Sequence, residues 1–299
     1  MSSPLKFKQL GLIGCGLMGA SFALALQKHG LVEHVVGFSP SVRTRERAVQ
    51  LGVIQQAVLS ASEAVAGCDI VLLAVPVSRT AACFQAISTA LSPDCLLMDV
   101  GSTKTDVVEA AMAHLGERLS CFVPAHPIAG KAQAGVDHAE ATLYQDRRTI
   151  LTPLTQTGAK QLQQAQQVWT AIGSHVSLMN PQDHDATFAA VSHVPHLLAF
   201  AAVNALSAQD QGAAFLKMAG PGFRDFSRIA ASDPAVWRDI LSANQAEVLK
   251  QTSHFRAALD AFENAIQHND LDTLQQLIEQ ASSVRSTWSL QSGQAGHDD

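Results

Sequence analysis

The chain has 299 residues, of which 47% are hydrophobic and 15% are charged, a composition typical of a folded protein with large apolar cores. Its formal net charge is −6, and it has no run of lysines and arginines. These features argue against nucleic acid and anionic membrane surfaces as partners, so we expect a small-molecule ligand.

The cysteines and the N-terminus bear on the cellular compartment. The five cysteines are an odd number, form no C-x-x-C pair and mostly lie in apolar runs, which suits a reducing cytoplasm. The first residues lack the apolar segment of a signal peptide, and no stretch of about eighteen residues is continuously apolar. We therefore expect a cytoplasmic protein that is neither exported nor inserted in a membrane.

Residues 1–153 alternate short apolar runs with helical patterns, which predicts βαβ units around a parallel sheet. The apolar runs are nearly unbroken, as in strands that helices cover on both faces. A capping box at 60–63 and glycines at 30 and 52 mark helix ends. We predict an α/β fold that begins with a Rossmann domain, a doubly wound parallel sheet. Its strands are expected at 9–13, 34–38, 70–75, 96–100, 120–125 and 149–152, with a weak one near Val53.

Residues 154–290 predict an all-α C-terminal domain, introduced by a helix at 158–172 and a strand at 175–179. Long helices are expected at 181–206, 234–269 and 271–290. An apolar stripe runs along the second of these helices and needs a partner, either within the chain or, as we favour, in a second copy that makes a homodimer. We expect the tail, 291–299, to be disordered. The stripe comprises Leu241, Val248, Phe255, Leu259, Phe262 and Ile266.

A glycine-rich loop joins the first strand to the first helix. Gly14, Gly16 and Gly19 form the G-x-G-x-x-G pattern, which indicates a dinucleotide site in this strand-to-helix setting. Gly14 permits the tight turn, Gly16 lets the backbone approach a pyrophosphate, and Gly19 lets the helix pack against the strand. The helix N-terminus favours the phosphates. We expect cofactor contacts from the whole loop, including Cys15, Leu17 and Met18.

The residue after the second strand indicates which nicotinamide dinucleotide binds. Dinucleotide folds that prefer NAD carry a carboxylate there for the adenosine 2′-hydroxyl, whereas this chain has Ser39. With Arg43 and Thr44 just beyond, the sequence favours NADP, and NAD stays open. Arg45 and Arg47 are as easily explained as ordinary loop arginines.

Further polar motifs follow the predicted strands or lie in the helical half, where a doubly wound sheet would bind its ligands at the carboxyl ends of strands. These motifs are Ala74-Val75-Pro76, Asp99-Val-Gly-Ser102-Thr-Lys104, His126-Pro-Ile-Ala-Gly130, His184-Asp185, Ser192-His193-Val-Pro-His196 and Gly222-Phe-Arg-Asp-Phe-Ser-Arg228-Ile-Ala-Ala-Ser232.

In this order, the H-P-I-A-G, S-H-x-P-H and G-F-R-D-F-x-R-I-A strings resemble the prephenate and arogenate (cyclohexadienyl) dehydrogenases of tyrosine biosynthesis. The resemblance runs from the glycine loop through Trp237-Arg-Asp239. It implies a Rossmann domain followed by a helical dimerisation domain, and oxidative decarboxylation of prephenate or arogenate with hydride transfer to NAD(P)+.

The resemblance also assigns roles. It implies that His126 is the base at the ring hydroxyl, which Ser102 also contacts, and that Arg228 pairs with a substrate carboxylate. Histidine suits the base because its pKa lies near neutrality. His196, Ser192 and Ser232 would line the rest of the substrate pocket, and Val75 and Pro76 would contact the cofactor. No spacing suggests a metal site.

Each motif also has a structural explanation. Ser102 could be the N-cap of the next helix, alone or in addition to its catalytic role. We interpret His193 as a structural histidine and Arg224 as half of a salt bridge, and we expect His184 and Asp185 to cap or pair locally. Many relatives carry a polar-acidic pair after H-P-I-A-G, where this chain has Lys131-Ala132, so the role of that pair is open here.

Two other functions compete with this one. The cofactor loop also suits a β-hydroxyacid dehydrogenase, but Lys160, Lys217 and Lys250 lie in no setting comparable to that family's catalytic lysine. The second alternative is a redox sensor that binds NADP(H) without turnover.

Overall fold

The computed structural model describes residues 5–131 and 133–289, whose contacts divide them into two units. The first unit contains residues 5–185 and the segment Pro234–Ala243, and the second contains Ala186–Asp233 and 244–289. The domain boundary proposed at residue 153 falls inside the first unit, because the helix and strand that follow it pack on strands of that unit. The proposed disordered tail, 291–299, lies outside the described residues.

Six strands of the first unit form a parallel sheet in the order β3-β2-β1-β4-β5-β6. This is the order of doubly wound nucleotide-binding sheets, and it confirms the predicted fold class. The order reverses between β1 and β4, so the carboxyl ends of these two strands flank the crevice where such sheets bind ligands. The strands are β1 (Phe7–Ile13), β2 (Val32–Phe38), β3 (Gln56–Ala57), β4 (Ile70–Leu73), β5 (Leu96–Asp99) and β6 (Phe122–Val123).

Helices cover both faces of this sheet, which explains its unbroken apolar strands. On β4, Leu72 packs into one hydrophobic core while its neighbours Val71 and Leu73 pack into the other. Successive side chains of a strand point to opposite faces, so every residue of such a strand is buried. The helices of this unit include α1 (Leu17–Lys28), α2 (Val42–Gln50), α3 (Ala61–Val65), α4 (Thr80–Ile87), α5 (Thr105–His114) and α6 (Ala159–Ala171).

The predicted helix boundaries are confirmed at three places. Gly30 and Gly52 follow α1 and α2 with φ of +66° and +69°, a conformation that glycine adopts without strain. Before α3, the Ser60 hydroxyl accepts from the Glu63 amide at 3.2 Å and donates to the Glu63 carboxylate at 2.8 Å. Ser60 therefore caps α3 as predicted, and the Glu63 carboxylate reaches back to the Leu59 amide at 3.3 Å, one residue before the amide that a capping box engages.

A second sheet departs from the sequence prediction. Its strands are β7 (Ala125–Pro127), β8 (Arg148–Leu151) and β9 (His175–Leu178), with β7 antiparallel and β9 parallel to β8. The continuous strand predicted at 120–125 is wrong, because the chain leaves the parallel sheet at Pro124, which has no amide to donate. The strand predicted at 149–152 belongs to this second sheet, where Ile150 pairs with His126.

Two of the three long helices predicted in the second half of the chain are broken, whereas the third, predicted at 271–290, is observed as one helix over Leu271–Thr287. A π turn, Ala189–His193, separates α7 (Pro181–Phe188) from α8 (Val194–Ser207) just before Pro195, whose ring disrupts regular helical hydrogen bonding. The helix predicted at 234–269 is interrupted at the buried Asn244, and only its second part belongs to the second unit. The remaining helices are α9 (Gly212–Lys217), α10 (Pro221–Ser227), α11 (Pro234–Ala243), α12 (Gln245–Gln267) and α13 (Leu271–Thr287).

Helix α12 carries most of the predicted apolar stripe, and its burial changes along its length. Val248 is buried, whereas Phe255, Leu259 and Ile266 are 40%, 43% and 64% exposed. The start of α12 therefore packs within the second unit, and its later turns present apolar surface. One helical run in the described part of the chain, Pro181–Ser207, meets the length and hydropathy criteria of a membrane span, a test that core helices of soluble proteins also pass.

Candidate active site

The cofactor loop has the backbone geometry that its glycines predict. Gly14 has a φ of +96°, and a Cβ there would lie 2.2 Å from the Ala74 carbonyl oxygen. A Cβ on Gly19 would lie 2.2 Å from the Gly14 carbonyl oxygen, whereas the space around Gly16 is open. Gly16 is also the N-cap of α1 and has no side chain to occupy its first amides. The loop therefore leaves a backbone cradle that fits a pyrophosphate.

The other proposed cofactor contacts surround this loop. Cys15 is fully buried, which raises the pKa of its thiol to about 12, so its backbone is the part that can contact a ligand. Leu17 and Met18 are half-buried at the start of α1. Val75 is half-buried and Pro76 exposed, just beyond the carboxyl end of β4, the strand that neighbours β1.

The arginines beyond β2 differ in their contacts. The Arg45 guanidinium donates to the Ser39 carbonyl oxygen, and Arg47 pairs with Asp137 at 2.5 Å. Arg43, in the first turn of α2, is exposed. The Ser41 hydroxyl accepts from the Thr44 amide and caps this helix. Arg45 and Arg47 are thus engaged within the protein, whereas Arg43 is exposed to solvent.

His126 lies in the middle of β7 and contacts a second histidine. Its Nδ1 is 2.8 Å from Nε2 of His184, on α7, and the Nδ1 of His184 is 2.8 Å from Oδ1 of Asp185. His184 and Asp185 are buried, whereas His126 is half-buried. The structure thus joins His126 to the two residues for which the sequence indicated nothing beyond local pairing.

The hydrogen bonds that link Asp185, His184 and His126 determine which nitrogen of His126 is basic. Burial, and then the charge of Lys104, lower the pKa of His184 against the opposing effect of Asp185, so His184 is neutral near neutral pH. Burial alone would raise the pKa of Asp185, but hydrogen bonds from His184, Thr105 and Lys104 lower it overall. Since the carboxylate can only accept, His184 carries its proton on Nδ1 and accepts at Nε2 from His126 Nδ1–H. Neutral His126 therefore has its lone pair on Nε2.

The expectation that Ser102 caps the next helix is wrong. Helix α5 begins at Thr105, and the half-buried Ser102 lies two residues before its N-cap position, Lys104. The Asp185 carboxylate caps this helix instead, accepting from the amides of Lys104 and Thr105 at 2.8 Å each. An acceptor from 80 positions away in the sequence cannot be identified from local spacing.

The remaining proposed substrate residues belong to the second unit. The Nδ1–H of His196 donates to the Ser192 carbonyl oxygen at 2.9 Å. Burial and the charge of Arg228 lower the pKa of His196, while the Ser192 carbonyl opposes them. Arg228 is exposed, and the Ser232 hydroxyl donates to the Ile229 carbonyl oxygen at 2.7 Å. A neutral histidine beside an arginine can accept one hydrogen bond while the arginine pairs with an anion.

Three further residues, in or next to the sequence motifs, have structural partners. His193 is buried, and its Nδ1 is 3.2 Å from the Asn244 amide nitrogen at the break before α12. Arg224 pairs with Asp225 at 2.9 Å on an exposed surface. Lys131 pairs with Glu140 at 2.8 Å, so its charge is partly neutralised; Ala132 lies outside the described residues.

Comparison with known proteins identifies the family. Residues 22–178 match the model of the prephenate dehydrogenase nucleotide-binding domain, and residues 180–280 match that of the prephenate dehydrogenase dimerization domain. The chain belongs to the prephenate dehydrogenase family. It is therefore an oxidoreductase whose N-terminal part is a nucleotide-binding domain for a nicotinamide cofactor, and the resemblance seen in its motifs is confirmed.

Individual members of the prephenate dehydrogenase family are similar over nearly the whole chain. The cyclohexadienyl dehydrogenase of Zymomonas mobilis is 32% identical over 283 residues, 93% of this chain and 95% of that protein. The crystal structure of a prephenate dehydrogenase from A. aeolicus, in complex with hydroxyphenyl propionate and NAD+, is 33% identical, covers 95% of this chain and 99% of its own, and has a TM-score of 0.88. The Synechocystis arogenate dehydrogenase structure is 29% identical, covers 94% of this chain and 100% of its own, and has a TM-score of 0.80.

Proposed function

We propose that this chain catalyses the oxidative decarboxylation of prephenate or arogenate, a cyclohexadienol acid, with hydride transfer to a nicotinamide cofactor. The observation that carries the proposal is the hydrogen-bonded chain from Asp185 through His184 to His126, in a member of this family. It supplies a neutral base with a defined lone pair.

In the proposed reaction, His126 first accepts a proton and later returns it. Its Nε2 accepts the proton of the ring hydroxyl while the carbon that bears this hydroxyl loses a hydride. The ring carboxylate then departs as carbon dioxide, its bonding electrons complete the aromatic ring, and the resulting phenolate oxygen takes the proton back from His126 Nε2. The nicotinamide, when bound, accepts the hydride.

The other proposed residues orient the substrate, pair with its charge or hold the cofactor. Ser102 hydrogen-bonds the same ring hydroxyl, Arg228 pairs with a substrate carboxylate, and His196, with Ser192 and Ser232, lines the pocket. A neutral His196 accepts a hydrogen bond from the substrate, since its lowered pKa leaves Nε2 unprotonated. The backbone from Gly14 to Gly19 holds the pyrophosphate, and Val75 and Pro76 contact the nicotinamide half.

We propose NADP as the preferred cofactor, with NAD as the alternative. Ser39 presents no carboxylate to repel a 2′-phosphate, and the exposed guanidinium of Arg43 can pair with one. Ser39→Asp should shift the ratio of kcat/KM values toward NAD+, and Arg43→Ala should raise the KM for NADP+ more than that for NAD+. Arg47→Ala is the control, because Arg47 already pairs with Asp137. If neither Ser39→Asp nor Arg43→Ala changes the ratio of kcat/KM values for NADP+ and NAD+, other residues recognise the 2′ substituent of the adenosine ribose.

We propose a homodimer formed through the helical unit, and a cytoplasmic location. The exposed apolar side chains on α12 and the match of residues 180–280 to a dimerization domain support the first proposal. All five cysteines are free thiols and four of them are buried, which suits a reducing compartment.

One experiment tests the activity directly. Initial rates of nicotinamide reduction are measured with prephenate and with arogenate, each in the presence of NAD+ and of NADP+. We expect turnover that depends on one of the two ring acids. Cofactor binding without turnover of either acid would contradict the proposal and favour the redox sensor, and turnover of a β-hydroxyacid instead would favour the other alternative.

A further inference from the structure

Lys104 is a fully buried lysine that the proposed reaction does not use. Its ammonium donates to Oδ2 of Asp99 at 2.5 Å and to the Ala125 carbonyl oxygen at 2.7 Å. Its main-chain amide donates to Oδ1 of Asp185 at 2.8 Å. One residue therefore contacts the end of β5, the start of β7 and the residue that caps α5.

These contacts form a closed circuit through the proposed base. From the Lys104 amide the circuit passes to the Asp185 carboxylate, then to His184 and to His126, whose Nδ1 is 2.8 Å from His184. His126 follows Ala125 in the chain, and the Ala125 carbonyl oxygen accepts from the Lys104 ammonium. Lys104 thus holds both the backbone before His126 and the carboxylate that orients its partner.

We propose that Lys104 is a positioning residue, which closes this circuit and so fixes both the place and the tautomer of the His126 imidazole. The inference rests on the proposed function, in which His126 Nε2 is the base. A base displaced by about 1 Å loses rate on the order of a hundredfold, so a rigid anchor on each side of His126 has a direct catalytic effect.

Stability alone is a poor explanation for a buried ammonium. Removing an ion pair from water costs most of what its attraction returns, and apolar replacements of buried pairs are often neutral or stabilising. Asp99 already accepts from the amides of Gly101 and Ala125 at 2.8 and 2.9 Å, so the turn after β5 has hydrogen bonds of its own. The lysine adds the link to the Ala125 carbonyl and a positive charge near His184.

That charge keeps His184 in the form that the circuit needs. Burial and the charge of Lys104 lower the pKa of His184, whereas Asp185 and Asp99 raise it. The two lowering effects are together the larger, so the pKa is lowered overall. If His184 became protonated, its Nε2–H would face His126 Nδ1 and force the His126 proton onto Nε2, the position of the base. The ionisable groups facing this circuit in the described part of the first unit are Asp99, Lys104, Asp106, His126, His184 and Asp185.

The test compares two variants of the full-length enzyme. Lys104→Met leaves the Asp99 carboxylate buried without its cation and should be destabilised, whereas Asp99→Asn/Lys104→Met removes both charges and should recover stability. The control is Lys6→Met, which removes an exposed lysine paired with Glu33. Thermal unfolding, cofactor affinity, kcat, KM and the pH profile of kcat/KM are measured for each protein.

We expect the double variant to bind cofactor and substrate within about twofold of the wild type, while its kcat stays lower by roughly 10–100-fold. Loss of the cation raises the pKa of His184, so the acid limb of the pH profile should move to higher pH in the double variant. It should move further in Lys104→Met, where Asp99 remains charged. Lys6→Met should leave all these quantities unchanged.

Recovery of both stability and kcat in the double variant, with the acid limb at its wild-type pH, would overturn the positioning role. His126→Asn, measured in parallel, separates the two proposals. A fully active His126→Asn enzyme would remove the proposed base and this inference with it. An inactive His126→Asn enzyme beside a fully active double variant would overturn only the role of Lys104.

Discussion

At the scale of single residues, the proposed chemistry depends on one nitrogen, Nε2 of His126. His126→Asn keeps a donor that can reach His184 but removes the proton acceptor. We expect kcat to fall by about 10²–10⁴-fold while the dissociation constant of the cofactor hardly changes, because proton transfer in the transition state is what is lost. Stopped-flow turnover and cofactor titration measure the two effects. His34→Asn, on β2, is the control, and an unchanged kcat in His126→Asn would exclude this histidine from the mechanism.

Arg228 offers a second test, with a matched control four positions earlier. Arg228→Ala should raise the KM for the ring acid by roughly 10–100-fold, because a charge-assisted hydrogen bond contributes about 1.5–3 kcal/mol. Arg224→Ala should have little effect, since this exposed guanidinium pairs with Asp225. Steady-state kinetics with the ring acid distinguishes them. Equal effects of the two substitutions would refute the specific pairing of Arg228 with substrate.

The motifs in the sequence predict single residues of the candidate site, but not the hydrogen bonds that link them. His126 was recognisable because it lies in H-P-I-A-G, whereas His184 and Asp185 are two ordinary polar residues near the start of an apolar helix. Their connection to His126 comes from the fold, which brings Nε2 of His184 within 2.8 Å of Nδ1 of His126. The adjacent histidine and aspartate beside an apolar run are the one sequence signal that could have suggested hydrogen bonds to a third residue, and the structure shows that both are buried.

At the scale of secondary structure, two helix caps should respond differently to mutation. Asp185→Asn weakens the cap of α5 and places an amide donor against His184, which favours the wrong tautomer. We expect a loss of about 1–3 kcal/mol in the free energy of unfolding and a kcat lowered on the order of tenfold or more. Ser60→Ala, at the local cap of α3, should cost about 1 kcal/mol and leave kcat unchanged. Urea unfolding and turnover provide the comparison; an unaffected kcat in Asp185→Asn would show that the hydrogen-bonded chain from Asp185 through His184 does not orient His126.

Local sequence signals predicted elements well where the cause of an element is local. The capping box, the glycine helix ends and the apolar strands all depend on residues a few positions apart. The second sheet does not, because β7 is separated from its antiparallel partner β8 by about twenty residues with no hairpin signal. At the break before α12, the Asn244 side chain contacts His193, 51 positions earlier, and the π turn lies just before Pro195.

At the scale of the whole molecule, the apolar face of α12 predicts assembly. Leu259→Glu places a charge among the exposed side chains of Phe255 and Ile266, and should shift the protein from dimer to monomer in sedimentation experiments. Ser253→Glu, on the opposite side of the same helix, should leave the dimer intact. Cofactor affinity, a property of the first unit, should be unchanged in both. A dimer that survives Leu259→Glu would place the interface elsewhere.

The path of the chain between the two units has a consequence for dissecting the enzyme. The backbone passes from one unit to the other after Asp185, after Asp233 and after Ala243, so α11 packs in the first unit although its sequence lies within the second family match. The Asp239 carboxylate on α11 accepts from the Ser78 hydroxyl at 2.5 Å. A gene fragment that stops at residue 185 would encode the glycine loop but omit α11. The complementary fragment would contain α11 without the first unit, against which it packs. Neither half is a contiguous stretch of polypeptide, and domain exchange between relatives by a single crossover would disrupt both.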